Sequence, residues 1–199
     1  MTLSVLLAMT RSTLLCFFTC VSLGVASQSF TDARDGITYP TTSIEGWEWF
    51  ARNLDHALPD TDENIPDSIT CSNWGRTYSR EQSRIACPTG WSLPTRAVWA
   101  VLDTSDIFAL LDTVCWVKPE GHTNATGLSL QPSGFKHKKA YWNRYLSSAI
   151  WFDDPEDPDS NWHLHVHGNN ADFTHYLHTH TEKIKVRRFA VRCVRPVDP

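Results

Sequence analysis

The chain has 199 residues, a formal net charge of −4, 41% hydrophobic and 20% charged residues, and nine tryptophans. An acidic balance with no concentration of Lys and Arg sets nucleic acid aside as a partner, because polyanion binders carry a basic face. Less a leader, about 170 residues remain, the size of one domain with a single core.

Residues 1–27 read as a signal peptide. Arg11 precedes the apolar run Leu14, Leu15, Cys16, Phe17 and Phe18, which continues through Val21, Leu23 and Val25 to the small residues Ala26 and Ser27. The run is short for a bilayer span, so cleavage near Ala26 or Ser27 is expected, with no transmembrane segment in the mature chain. Export implies a secreted, extracellular or cell-surface protein, with one domain over residues 28–199.

Asp35-Gly36 is turn-prone and leads into strand-like Gly36 to Tyr39 and Thr42 to Ile44, then a short element from Trp47 to Asn53. Asp55 to Thr70, rich in Asp, Pro and Asn, reads as a surface loop. Ser79-Arg80-Glu81-Gln82 has the form of a capping box and predicts a helix to about Ala86. After Pro88 and Gly90, the spacing of Ala97, Val98, Trp99, Val101 and Leu102 marks the apolar face of a second helix. From Tyr141 onward the pattern turns to strands. Trp162, Leu164 and Val166 alternate with His163, His165 and His167, and Gly168-Asn169-Asn170 supplies a hairpin turn. Phe173 to Thr179 is the returning strand and Ile184 to Val194 a third. Helices come before strands, and the class is α+β.

Loss of the leader removes Cys16 and Cys20 and leaves Cys71, Cys87, Cys115 and Cys193. An even number in an exported chain favours two disulfides, for which three pairings exist. None of the four sits in a Cys-x-x-Cys pair, which argues against zinc.

Two stretches could hold a metal. Asp153, Asp154, Glu156, Asp157 and Asp159, with Asn161, crowd enough oxygen donors into one loop for calcium, although the spacing is not that of an EF-hand. Calcium is the one cofactor this composition raises. His163 and His165 share a strand face, and His175 on the next strand could join His163 across a three-residue turn as a transition-metal site. The bland alternatives are a solvated acidic loop and solvent-facing histidines. Asn124-Ala125-Thr126 is a glycosylation sequon at Asn124 if the host is eukaryotic.

Asp32-Ala33-Arg34-Asp35-Gly36, with Tyr39, Ile44, Trp49 and Asn53-Leu54, joins Tyr78, the run from Cys87 through Pro88, Gly90 and Trp91 to Thr95, Trp99, and Val191-Arg192-Cys193-Val194-Arg195. Together these motifs resemble the Fibrobacter succinogenes major paralogous domain family, from about Phe30 to Arg195. The resemblance implies a C-type-lectin-like fold: two short helices flanking a mostly antiparallel twisted sheet, stapled by disulfides, with the two chain ends meeting in the sheet. It also implies that Cys87 pairs with Cys193, leaving Cys71 for Cys115. The chain departs from the family at Val98, where a Glu is usual, and around Ser147-Ser148, which lack the usual preceding Trp.

Export, a lectin-like fold and abundant aromatics lead to a non-catalytic binding module for carbohydrate or adhesion, with a glycan or surface partner. No catalytic residue is assigned. The alternatives are a structural surface protein whose tryptophans are all core, or an enzyme like the formylglycine-generating enzymes, which need reactive cysteines.

Overall fold

The first and last strands of the described residues share one antiparallel sheet. β1 (Gln28–Thr31), β2 (Thr38–Ile44), β3 (Trp47–Phe50) and β12 (Val194–Pro196) lie in the order β1-β2-β3-β12. This is a computed structural model that describes residues 28–65, 71, 74–102, 106–168, 177–179 and 187–197; residues 1–27, expected as a signal peptide, and Asn169, Asn170 and His175 lie outside them. The β2–β3 connection has Glu45 and Gly46 both at positive φ, 49° and 77°, as a tight hairpin of matching twist requires.

The expected helices form where local chemistry puts them. α1 (Arg80–Ala86) starts at a complete capping box, in which Gln82 N donates to Ser79 Oγ at 3.2 Å and Ser79 N to Gln82 Oε1 at 2.7 Å. α2 (Arg96–Ala100) is capped by Thr95 and buries Val98 and Trp99. No helix among the described residues is long and apolar enough to cross a membrane.

A second antiparallel sheet holds β8 (Ser147–Trp151), β9 (Trp162–His167) and β10 (Leu177–Thr179), with β8 and β10 on either side of β9. All five β8 residues are buried. Alternation explains this: Ile150 enters one apolar cluster with Trp49, Trp99, Leu164 and Val166, while Ala149 and Trp151 enter another with Tyr39, Phe50, Tyr78 and Phe189. β8 and β9 thus divide two cores. A smaller sheet packs β6 (Phe135–His137) between β7 (Ala140–Trp142) and β11 (Arg187–Arg188), and β4 (Asp62–Glu63) pairs with β5 (Arg76–Thr77).

Three sequence expectations change. Strands β1 to β3 precede the helices, so helices do not simply come first. The Asp55 to Thr70 loop contains β4, and its Asn64 is buried, with its amide donating to Ser133 O at 2.7 Å. Ile184 to Val194 is not one strand: its described residues change partner, with Arg187 and Arg188 on β6, Phe189 on Tyr78, Ala190 on Ile150 and Val194 on Trp49. Phe189 to Val194 is buried throughout, so no single sheet face organises it.

The disulfides join Cys71 to Cys115 and Cys87 to Cys193, the pairs the resemblance implies. Beside Cys193, the fully buried Arg192 guanidinium donates to Asn53 Oδ1 at 2.7 Å, Phe50 O at 2.9 Å, Leu128 O at 2.6 Å and Ser129 O at 2.6 Å. One side chain therefore ties the end of β3, the 128–129 loop and the final segment together.

The Asp32-Ala33-Arg34 motif is a staple. The buried Asp32 carboxylate accepts from Arg34 N, Nε and Nη2, and Arg34 Nη2 also donates to Ala86 O at the end of α1 at 2.8 Å. Burial is the largest influence on Asp32 and pushes its pKa up, but the Arg34 hydrogen bonds and charge outweigh it and hold the carboxyl below the ordinary 3.8. A lowered carboxyl pKa stabilises the fold above the unfolded value, and that stability is lost as pH falls through the folded one. Asp32→Asn is expected to cost about 1–3 kcal/mol at pH 7, the loss for a buried charged hydrogen bond. In urea melts the gap to wild type should close below pH 3.8; a gap independent of pH contradicts the assignment.

Candidate functional site

The acidic loop between β8 and β9 is clamped by the helices. Arg80 Nη2 holds Asp153 Oδ1 at 2.6 Å, Arg96 Nε holds Asp154 Oδ2 at 2.6 Å, and Arg84 donates to Pro158 O. Asp154 is buried, and its second oxygen accepts from Glu156 N at 3.2 Å. Burial, the largest influence, lowers the Arg80 pKa, and the Asp153 charge opposes it. Glu156 and Asp159 are exposed, while Asp157 and Asn161 are half-buried. The two leading carboxylates thus dock α1 and α2, and they bring arginines rather than open coordination positions to the loop.

The histidines of β9 form a row. His163 is buried and stacks on Phe189 at 4.4 Å, and the His165 and His167 rings stack at 4.7 Å. The β9–β10 register sets His178 opposite His163, and His175 lies outside the described residues. Among the described residues, the one trio of His, Cys, Asp or Glu ligand atoms within 4.8 Å of one another is Asp32, Asp35 and His56. There Arg34 occupies Asp32, and His56 Nδ1 lies 2.6 Å from Asp35 Oδ2, so the three side chains are engaged in contacts within the protein.

Asn124 is half-buried at φ 48°, its amide nitrogen donating to Ser129 Oγ at 2.7 Å and its oxygen accepting from Ser129 N at 2.9 Å. The atom that would carry a glycan is therefore already engaged in closing the 124–129 loop.

A different region offers a ligand cavity. Trp116, Val117, Lys118, Asn143, Tyr145 and Leu146, with His167 and Gly168 at the end of β9, line a pocket of about 280 Å³. This is near the lower end of small-ligand sites, and the lining joins apolar and aromatic surface to a few polar groups. Backbone geometry builds it. Asn143 and Tyr145 both adopt the left-handed region, φ 57° and 65°, and Leu146 N and Ser147 N fold back onto Asn143 O at 3.1 and 3.0 Å. Asn tolerates this conformation, whereas an aromatic side chain there is strained by about 1–3 kcal/mol. Tyr145 is fixed in it by three contacts: its N–H donates to Pro132 O at 2.8 Å, its carbonyl accepts from Val117 N at 2.9 Å, and its ring meets Trp74 edge-on at 5.1 Å. Such strain collects at binding sites, where the surrounding structure enforces it.

Two glycines are required. A Cβ on Gly168 would come within 2.3 Å of the Trp116 ring, so only glycine lets the indole lie against the end of β9. A Cβ on Gly134 would lie 2.1 Å from Trp142 O, within the turn that carries Asn143. Val117 and Leu146 are more than half exposed at the mouth, and Trp116 is buried in the wall. Val114 and Trp142, also more than half exposed, are near in sequence on either side. These four residues are half of the eight exposed large apolar side chains among the described residues.

Of the nine tryptophans, Trp142 is exposed, Trp47 and Trp162 are half-buried and the other six are buried. The aromatic abundance therefore serves mostly the two cores. Sequence reasoning placed no function on the pocket; its one local signal is Asn143, a residue type suited to left-handed turns. Comparison of the chain with protein-family models, with curated proteins and with solved structures finds no match.

Proposed function

We propose that the protein is an exported, non-catalytic module that binds carbohydrate in the Trp116–Tyr145 pocket. One observation carries the reading: a preformed cavity of about 280 Å³ that sets two aromatic side chains beside an amide, a lysine and an imidazole. Sugar rings present apolar C–H faces that stack on aromatics and hydroxyls that pair with amide and imidazole groups. The strained Tyr145 and the close Gly168–Trp116 contact hold those groups before a ligand arrives, which limits the ordering cost of binding. The resemblance to the Fibrobacter succinogenes major domain and its lectin-like fold points the same way, as do a sheet shared by both chain ends and two disulfides. Every cysteine among the described residues is in a disulfide, which removes the thiol that a formylglycine-generating type of enzyme would use. Disulfides also favour an oxidising compartment, in keeping with the leader.

A glycan array probed with and without calcium tests the proposal. Wild type is expected to bind saccharides in both conditions. Val117→Gln with Leu146→Gln, which strips apolar surface from the mouth at two exposed positions, is expected to weaken binding about tenfold, near 1.4 kcal/mol. Absence of saccharide binding in both conditions would falsify the reading. The second reading, a structural surface protein without a small ligand, is favoured by the six buried tryptophans, and that negative array is the result it expects.

A further inference from the structure

We propose that the pocket selects acidic saccharides, those carrying a carboxylate, over their neutral counterparts. The inference rests on the carbohydrate reading above and adds the ligand's charge. In a chain of net charge −4, the lining holds the basic residues Lys118 and His167 and no Asp or Glu.

Lys118 is exposed and has no ion-pair partner among the described residues, whereas Arg34, Arg76, Arg80, Arg96, Lys136 and Arg195 each hold a carboxylate. Lys118 lines the pocket together with the apolar Val117, Leu146 and buried Trp116, and an apolar flank strengthens a local field. His167, at the end of β9, also lines the pocket, with its ring stacked on His165. Asn143 is neutral and can pair with either oxygens or hydroxyls, so it does not discriminate. Charge discrimination therefore falls to Lys118, with the His167 imidazole as a hydrogen-bonding partner, and a carboxylate on a ring stacked against the aromatic wall would meet the ammonium without a competing anion in the lining.

The test compares methyl β-glucuronide with methyl β-glucoside by titration calorimetry on the folded, oxidised protein. The glucuronide is expected to bind about fivefold tighter at low salt, the upper range for a solvent-accessible ion pair. That preference should shrink toward unity in 1 M NaCl, where the screening length is about 3 Å. Lys118→Gln should collapse the ratio of the two affinities, while Lys139→Gln, an exposed lysine outside the pocket, should preserve it. Thermal melts of both variants matching wild type exclude unfolding as the cause. Equal affinities for the two glycosides, or a preference that survives Lys118→Gln, overturn the charge inference while leaving sugar binding in place. Binding of neither glycoside, with a negative array, overturns both.

Discussion

Replacement of Cys87 and Cys193 together by alanine is expected to lower unfolding free energy by about 4–5 kcal/mol, read as a lower urea midpoint. The bond spans 106 residues, and in the chain-entropy treatment a loop of about a hundred residues removes about 4.7 kcal/mol of unfolded-state freedom. Stability of a domain is commonly only 5–15 kcal/mol, so the loss should leave a marginal fold. The position of the bond adds to this. Cys87 ends α1, and Cys193 is fully buried next to Val194, which opens β12. The bond therefore ties the first helix to the strand that completes the terminal sheet. Reducing wild type with dithiothreitol should reproduce much of the loss without any substitution. A deficit below about 1 kcal/mol in both measurements would show that the sheet and cores alone hold those ends together.

Arg192→Met should cost about 3–5 kcal/mol, the range for removing one side of a buried charged network. Burial is the largest influence on Arg192 and pushes its pKa down to about 9, with Asp112 opposing and Arg52 adding to the shift. The cation persists at neutral pH because Phe50 O, Leu128 O, Ser129 O and Asn53 Oδ1 all point to it. Methionine would relieve the buried charge but strand these oxygens, and each buried acceptor without a donor costs about 1–3 kcal/mol. Arg192→Lys keeps the charge with three donors in place of five, so its cost should fall between wild type and methionine. Urea midpoints for the three proteins decide the matter. If methionine loses less than lysine, the guanidinium is a burden on the fold and not its tie.

The two largest effects had different legibility. Cys87 and Cys193 are visible as cysteines, and their pairing follows from the family resemblance; without it three pairings stand equal. Arg192 looks like an ordinary basic residue between Val191 and Cys193, and its burial arises because two loops distant in sequence bring carbonyls to it. Similar reasoning separates the helices from the small sheets. The Ser79–Gln82 box is readable because its two hydrogen bonds span three residues. β6, β7 and β11 have two or three residues each, too few to show alternation, and they pair only because the surrounding chain brings them together.

The acidic loop shows the limit of composition. Its carboxylates are evident from Asp153 to Asp159, but the arginines that neutralise Asp153 and Asp154 sit about sixty to seventy residues earlier on α1 and α2. The candidate pocket is more hidden still, since residues 116–118, 143, 145–146 and 167–168 carry no shared motif.

By itself the sequence determined what depends on near neighbours: the two short helices, the strand material before them, the histidine alternation of β9 and an even set of cysteines. Only the tertiary structure decided which carbonyls surround Arg192, which cations meet the acidic loop, and that Trp116, Tyr145 and His167 enclose one cavity. Local hydrogen bonds and side-chain periodicity act over a few residues, whereas burial and charge pairing depend on where the whole chain closes.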